Sequence, residues 1–370
     1  MRKTWIDNLR WATVLSVLLY HVFYYYNGVG VFGGIGGFSQ NQPQDIVLYI
    51  LYPWFMFLLF LLAGISSRYA LNSRGNRRFL RERTLKLLVP STIGLLVFQW
   101  ITGYFNTLTA DHVQGGALLS AIPAVARYPS YVISGVGPLW FIQDLWIFSI
   151  VALLVKKLDR GDRFCGLCSR LGIVPLILLG ILPHVLSQFY VADVAAHPLG
   201  GLFNLYRPHY YLAAYLLGYF VFSNDAVQER LALAFRPLLL CAVLAGVLLC
   251  CLNFGKDCSA PSYLASPLNG LYAYLMSLAL LGLFKARFDV QGRFSSYMTK
   301  SSYGLYVLHY SVCAGVGYWL KVVAGAPAPQ CYAVLLAAVF LLTPLLYEIL
   351  RRIPLLRWCI FGIRPEGRKL

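Results

Sequence analysis

Charged residues are scarce in this chain: Asp, Glu, Lys and Arg make up 12% of its 370 residues, whereas 59% are hydrophobic. A soluble domain could not cover so much apolar surface, so the composition excludes that class. It predicts an all-α integral membrane protein with many spans. The net charge of +17 would indicate a nucleic-acid partner in a soluble protein. Here the orientation of membrane loops explains it better, and no nucleic acid is expected as a partner.

Metal-site patterns are missing as well. Cys165-Gly-Leu-Cys168 has the spacing of two zinc ligands, but no second pair of this kind and no nearby histidine pair accompany it, so no metal is expected. Cys258 and Cys331 both fall near predicted outer loops, which leaves a disulfide between them open. The other cysteines in apolar runs are expected to pack as small hydrophobic side chains; they are Cys241, Cys250, Cys251 and Cys313.

Ten apolar segments have roughly the length that the hydrocarbon core of a bilayer requires. They run over 9–27, 45–67, 87–106, 136–155, 172–190, 209–223, 237–254, 266–284, 302–323 and 330–350. The first has no small-residue cleavage site after it and is expected to stay as an anchor. No repeat, low-complexity tract or attached soluble domain is recognisable. Residues 1–370 are therefore predicted to form a single polytopic domain.

The basic residues divide unequally between the two predicted sides of the membrane. Ten spans place 27 Lys and Arg residues on one side and four on the other. These four are Arg127, Arg207, Lys256 and Lys321. Cytoplasmic loops carry such an excess, so both termini are predicted to be cytoplasmic. A wrong number of spans would mix the two groups, so the asymmetry also favours ten.

The first apolar segment carries Arg10 and, eleven positions later, His21. In a helix this spacing returns to nearly the same face, about 16 Å further along the axis. Ionisable groups inside a bilayer are costly and mark functional sites. Arg10 alone could be an anchor at the boundary. For His21 two interpretations stay open: a hydrogen bond that serves helix packing, or a general base that faces a cavity.

A basic segment precedes the third predicted span, and Arg83 and Lys86 stand closest to it. Three positions apart, they are predicted to share a helix face that suits a phosphate-rich ligand. Clustered cations on the cytoplasmic side also follow from membrane orientation and from attraction to anionic lipids. Both explanations remain open.

Polar side chains also enter the fourth and ninth predicted spans. Asp144 lies several residues into the fourth, where it must be either paired with a cation or protonated. Trp140, at the start of that span, fits an interface anchor. In the ninth span Ser302, Tyr306 and His309 share one face. Ligand contact and polar cross-links between helices explain that face equally well.

These motifs occur together in one family. The chain resembles the membrane-bound acyltransferase family 3, integral-membrane enzymes that O-acylate glycans. Four motifs carry the resemblance in the family's order, with lysine in place of the more usual second arginine of the paired basic motif. They are Ile6-Asp-Asn-Leu-Arg10 through His21, Arg83-Thr-Leu-Lys86 with Pro90, Leu139-Trp140-Phe141, and Ser302-Tyr303-Gly304-Leu-Tyr306-Val-Leu-His309.

The resemblance implies an acyl-CoA-dependent O-acyltransferase of the bacterial inner membrane. The acyl group, expected to be acetyl, would pass from cytoplasmic acyl-CoA to a hydroxyl of a glycan or glycolipid that is extracytoplasmic or membrane-associated. Acyl-CoA would be a co-substrate, no cofactor would be bound permanently, and membrane lipids would surround the chain. The implied catalytic residues are His21 and Arg10. Coenzyme A contacts are expected at Arg83, Lys86, Trp140, Tyr303 and Tyr306, with Asp144, Ser302 and His309 as supporting residues.

The mechanism and two other function classes stay open at this stage. His21 could act as a general base on the sugar hydroxyl or as a nucleophile that carries the acyl group. Asp144 or a backbone carbonyl is expected to fix the imidazole tautomer. A secondary transporter or flippase would also have buried ionisable residues, but the paired halves of many transporters are not recognisable. A structural subunit of an envelope complex would leave the face shared by Arg10 and His21 without a purpose.

Overall fold

The computed structural model describes residues 3–159 and 161–363. Within these ranges 79% of the residues are helical and no strand occurs, so the all-α prediction is confirmed. The first helices are α1 (Thr4–Tyr25), α2 (Ile46–Ser73), α3 (Asn76–Arg83), α4 (Val89–Gly94), α5 (Trp100–Val113), α6 (Leu118–Ala121), α7 (Ala124–Ser134), α8 (Trp140–Leu158), α9 (Arg163–Cys168) and α10 (Ile173–Leu178). The later ones are α11 (Ile181–Leu186), α12 (Pro198–Tyr206), α13 (Pro208–Leu217), α14 (Asp225–Asn253), α15 (Pro261–Leu264), α16 (Pro267–Arg287), α17 (Arg293–Tyr318), α18 (Ala328–Leu350) and α19 (Pro354–Phe361).

Several helices continue without a break through π-helical turns, so that α3, α4 and α5 form one long helical segment. Within the described ranges, six segments are long and apolar enough to cross a membrane. They are Pro43–Ser73, Asn76–Val113, Gly137–Leu158, Asp225–Asn253, Pro267–Arg287 and Ala328–Leu350. A multi-pass membrane protein is thereby supported, whereas the count of ten spans and the cytoplasmic termini stay predictions. Five cations in the charge count lie outside the described residues: Arg2, Arg160, Arg364, Arg368 and Lys369.

The other four predicted spans have different forms. The segments 9–27 and 302–323 fall largely in α1 and α17, which are long helices but more polar. The segment 209–223 is α13 continued by a π-helical turn. The segment 172–190 is two short helices, α10 and α11, instead of one continuous helix. Gly180 separates them, and Pro183 lacks the backbone N–H that a continuous helix would need.

The cysteines are all free thiols, so Cys258 and Cys331 do not form the disulfide that the sequence left open. Cys250 and Cys313 are buried, as expected of small hydrophobic side chains, whereas Cys241 and Cys251 are exposed on α14. Among the described residues, no group of three or more His, Cys, Asp or Glu side chains could hold a metal ion.

The helices group into two compact units, and the first takes in described residues from 3–13, 49–80 and 147–299. In this unit α2 packs closely against α13 and the turn that follows it. A β-carbon on Gly64 would lie 2.0 Å from the carbonyl oxygen of Tyr215, and one on Gly218 would lie 2.1 Å from that of Leu61. Small residues permit this close approach of backbones, as is common between membrane helices. Beside this pair, α14 packs along α16.

The second unit takes in described residues from 14–48, 81–146 and 300–363. Its core includes the second half of α1 and the greater part of α17. Tyr25 of α1 donates a hydrogen bond to the Ala314 carbonyl of α17 and shares another with Thr109 of α5. Elsewhere in the unit α5 packs against α7, and α4 packs against α19. The second unit therefore holds His21 on one helix and, on another, the motif Ser302–His309, which is called the late motif below.

Candidate functional site

Two histidines from distant parts of the chain meet in the second unit. His21 of α1 and His309 of α17 lie with ring centroids 4.8 Å apart, and His21 Nδ1 is 3.2 Å from His309 Nε2. Each ring also contacts a backbone carbonyl on its own helix. His21 Nδ1 lies 2.8 Å from the Val17 oxygen, and His309 Nδ1 lies 2.7 Å from the Tyr306 oxygen. His309 is fully buried, whereas His21 is half-buried.

The two carbonyls determine where the protons of this pair reside. A carbonyl oxygen can only accept, so Nδ1 of His21 and Nδ1 of His309 each carry a proton. In neutral rings the Nε2 atoms then carry lone pairs. His309 Nε2 faces the Nδ1–H of His21 and accepts from it. No described residue donates to His21 Nε2, which leaves this nitrogen as the basic atom of the pair.

Aromatic side chains enclose His21. The rings of Tyr20, Tyr24 and Tyr310 lie 5.2, 5.6 and 5.1 Å from its ring, all in edge-to-face geometry. The thiol of Cys313 donates to the His21 carbonyl oxygen at 3.3 Å. These contacts restrict the rotation of the imidazole and reduce the access of water, so the geometry of the pair is fixed before any ligand binds.

A polar network joins α17 to the helical segment before and in α5. Gln99 donates to the Val307 carbonyl at 2.7 Å and accepts from the hydroxyl of Thr102 at 2.7 Å. Thr102 in turn lies 2.6 Å from the hydroxyl of Ser311. Gln99 and Thr102 are both buried, and buried networks of satisfied groups rigidify their surroundings. The network thus holds the part of α17 that presents His309.

The late motif connects this pair with the basic segment. The Tyr303 hydroxyl donates to the Lys86 carbonyl, and the Tyr306 hydroxyl donates to the Pro138 carbonyl at 2.7 Å. The ring of Phe141 lies 5.4 Å from that of Tyr306. Tyr303 and His309 are six residues apart on one helix, a rise of about 9 Å. Three of the four predicted motifs therefore come together within the second unit.

The basic pair itself differs from the prediction. Arg83 is the last residue of α3, and Lys86 lies in the π-helical turn Thr84–Leu88. A π-helix has a wider turn than an α-helix, so the α-helical spacing that predicted a shared face does not apply. Lys86 is exposed and Arg83 is half-buried. Single π-helical turns within α-helices are frequent at functional sites.

Three further predicted residues lie in the same unit. Trp140 begins α8 and is half-buried, and Ser302 is buried on α17. Asp144 is half-buried, and its Oδ2 has no hydrogen-bond partner among the described residues. Of the two groups considered for fixing the His21 tautomer, the Val17 carbonyl is the one on Nδ1.

Arg10 belongs to the first unit, where Asp7 and Ser66 hold it. Its Nη1 lies 2.7 Å from the Asp7 carboxylate, and its Nη2 donates to the Ser66 hydroxyl at 2.6 Å. The three-residue spacing from Asp7 to Arg10 was visible in the sequence as a favourable helix pair. The contact with Ser66 had no such signal. Nor had the contacts of His21 with Tyr310 and His309, which join residues almost 290 positions apart.

The comparisons with known proteins agree with the motif order. A protein-family profile described as an acyltransferase domain, that of acyltransferase family 3, matches residues 3–360. No curated protein and no solved structure matches the chain. The profile spans both units, the histidine pair and the basic segment. The chain therefore belongs to acyltransferase family 3 and is a multi-pass membrane acyltransferase.

Proposed function

We propose that this protein transfers an acyl group, with acetyl as the expected one, from cytoplasmic acyl-CoA to a hydroxyl of an extracytoplasmic or membrane-associated glycan in the bacterial inner membrane. The observation that carries the proposal is the state of His21. A backbone carbonyl and His309 occupy its Nδ1, while its Nε2 is left without a donor from the described residues. A general base requires a nitrogen with a free lone pair in a fixed position. The aromatic rings around His21 restrict the imidazole and so hold Nε2 in place.

The donor site proposed for coenzyme A lies in the second unit. Arg83 and Lys86 supply cations for its phosphates, since charge-assisted hydrogen bonds to phosphate are strong. Trp140, Tyr303 and Tyr306 supply ring faces for the arm, because the two tyrosine hydroxyls already donate to backbone carbonyls. Tyr303 contacts the basic segment, and the same helix carries His309 about 9 Å further on. This order supports entry of the thioester from the basic end of α17 toward His21.

The proposed reaction is one acyl transfer with a balanced proton. His21 Nε2 takes the proton of the sugar hydroxyl as that oxygen attacks the thioester carbonyl. The carbon–sulfur bond then breaks, and the coenzyme A thiolate takes the same proton from the imidazolium. The Val17 carbonyl and His309 Nε2 both accept from Nδ1, so they stabilise the imidazolium while it exists. Products are the acylated sugar and free coenzyme A.

Arg10 is proposed as the second essential residue. Asp7 and Ser66 fix two of its nitrogens, and the side chain keeps about a third of its surface exposed. The family resemblance supports a requirement for Arg10 in catalysis. The ion pair supports a fixed orientation for the guanidinium.

The test uses the full-length protein in lipid nanodiscs with acetyl-CoA and a glycan acceptor. Acyl transfer should release free thiol and add an acyl mass to the glycan. The variant His21→Ala should lose both signals, whereas His112→Ala, at an exposed position on α5, should keep them. Undiminished thiol release by purified His21→Ala would overturn the role of His21. Accumulation of solute in vesicles without any thiol release would overturn the enzyme itself.

A further inference from the structure

A buried arginine of the first unit has no counter-ion among the described residues. Arg207 is 5% exposed, and none of the described carboxylates forms an ion pair with it. Its Nε and Nη2 atoms are buried and have no hydrogen-bond partner among the described residues. Arg68, equally buried in the same unit, has the Asp162 carboxylate at 2.9 Å. Removing a charge from water is costly unless a partner compensates it, so Arg207 calls for an explanation.

Two neighbours of Arg207 also have buried polar atoms with few partners. The Tyr190 hydroxyl is buried without a hydrogen bond in the described part of the chain. The two ring nitrogens of His209 are buried too, and the backbone of Leu186 is the polar group that contacts this ring. Arg207 interacts electrostatically with both Tyr190 and His209. A buried charge without a counter-ion beside a buried hydroxyl without a hydrogen bond is uncommon enough in folded proteins to need an explanation. The cluster offers hydrogen-bond donors and acceptors that a single polar ligand would satisfy.

The surrounding backbone holds this cluster in place. Asn204 forms two hydrogen bonds with Val191, accepting from its N–H at 2.9 Å and donating to its carbonyl at 3.0 Å. This clamp fixes Tyr190 next to the end of α12. Arg207 itself adopts the left-handed conformation, with φ of 45°, between α12 and α13. A residue with a β-carbon keeps that conformation only where its surroundings require it.

Aromatic rings form the apolar part of the cluster. The Arg207 guanidinium lies 4.2 Å from the centroid of the Tyr210 ring, a cation–π contact that compensates only part of the charge. The His209 ring stacks on Phe203 at 4.4 Å with 15° between the planes. The amino end of α13 adds a partial positive charge close to Arg207. The combination of one cation, several ring faces, an unsatisfied hydroxyl and a buried imidazole matches the chemistry of an acidic sugar.

We propose that Arg207, His209 and Tyr190 bind an anionic saccharide, with its carboxylate or phosphate on Arg207 and its hydroxyls on His209 and Tyr190. Arg207 is one of the four cations on the predicted outer side, where a glycan would arrive. The further step, that this saccharide is the acyl acceptor, rests on the proposed function. It names acidic glycans as the substrate class.

Binding without any acyl donor tests the site separately from catalysis. Full-length protein in nanodiscs is titrated with glucuronate, glucose 6-phosphate and glucose, and binding is followed by saturation-transfer NMR. At least one anionic sugar should bind about tenfold or more tightly than glucose, as the loss of a charge-assisted hydrogen bond implies. A preference for glucuronate or for the phosphate identifies the anion. Equal binding of all three sugars, or acetate and inorganic phosphate as equally good competitors, would overturn the proposal.

Two variants locate the binding. Arg207→Gln should abolish the preference for the anionic sugar, and Tyr190→Phe should weaken binding several-fold while it retains the ring. Arg127→Gln is the matched control, because Arg127 is an exposed cation on the same predicted side. If Arg207→Gln fails to fold, Tyr190→Phe decides: an unchanged affinity in that variant contradicts the site. Sugar binding with no thiol release would leave the site in place and refute the proposed function alone.

Discussion

The two units each hold a cluster of buried polar groups, and these clusters differ in how completely their atoms are hydrogen-bonded. In the second, His21 and His309 use their Nδ1 atoms on backbone carbonyls, and Gln99 and Thr102 are saturated by neighbours. In the first, two nitrogens of Arg207 have no hydrogen-bond partner among the described residues. A saturated network is rigid before a ligand arrives, whereas an unsaturated one is completed by its ligand. The contrast is what we expect if the proposed catalytic site serves chemistry and the proposed saccharide site serves recognition.

The largest effect should come from removing the basic nitrogen of the second unit. His21→Gln keeps an amide that can donate to the Val17 carbonyl, but it has no basic atom in place of Nε2. We expect the rate of thiol release to fall by about 10²–10⁴-fold, the usual contribution of a general base. The measurement is steady-state thiol release at saturating acetyl-CoA. A fall smaller than threefold would contradict the base assignment.

The next effect sharpens the role of His309, which acts through His21 and is a positioning residue. His309→Leu leaves the Nδ1–H of His21 with one acceptor fewer, so kcat should fall by about 10-fold or more while KM for acetyl-CoA stays unchanged. His309→Gln offers an amide oxygen to the same proton and should restore much of kcat. If His309 had a purely structural role, kcat would instead fall equally in both variants, or KM for acetyl-CoA would change.

The basic segment should control affinity and leave the chemical step intact. Arg83→Gln and Lys86→Gln should each raise KM for acetyl-CoA by about tenfold, because each removes a charge-assisted contact with a phosphate. Salt should weaken binding to the native protein more than to the variants. Arg81→Gln, an exposed cation of α3, is the control. If all three variants behave alike, the segment serves membrane orientation and not coenzyme A.

The smallest effect is expected in the first unit at a cation that already has its partner. Asp7→Asn removes the ion pair to Arg10, whose side chain is 35% exposed. Pairs of this kind contribute at most about 1 kcal/mol, so the midpoint of thermal unfolding should hardly move. Any fall in the rate of thiol release would then reflect a loss of orientation of the Arg10 side chain. A collapse of the fold in this variant would show that the pair is structural.

Much of the fold was readable from composition and hydropathy. The apolar runs predicted a helical multi-pass protein because hydrocarbon leaves the backbone few other options. Periodicity did not reveal that the helix over 172–190 is broken at Gly180, since an apolar run looks alike whether its helix is continuous or interrupted. The π-helical turn at Lys86 was equally invisible, because the spacing argument assumes 3.6 residues per turn.

The sequence predicted some residues of the site but not their tertiary contacts. His21 stood out because an imidazole is rare in a span, and its family motif fixed its place. The pairing with His309 depends on tertiary packing between helices far apart in sequence. Arg207 looked like an ordinary loop cation, because no sequence pattern reports that a charge is buried without a counter-ion.

The Val17 carbonyl has a consequence for energy coupling. Because it commits Nδ1 of His21, any proton that the ring accepts during the proposed transfer arrives and departs through the opposite nitrogen. The hydroxyl's proton is thus returned to the departing sulfur, and none is drawn from either aqueous compartment. Acyl transfer by this route would consume no proton from either side of the membrane and would be driven by thioester cleavage alone.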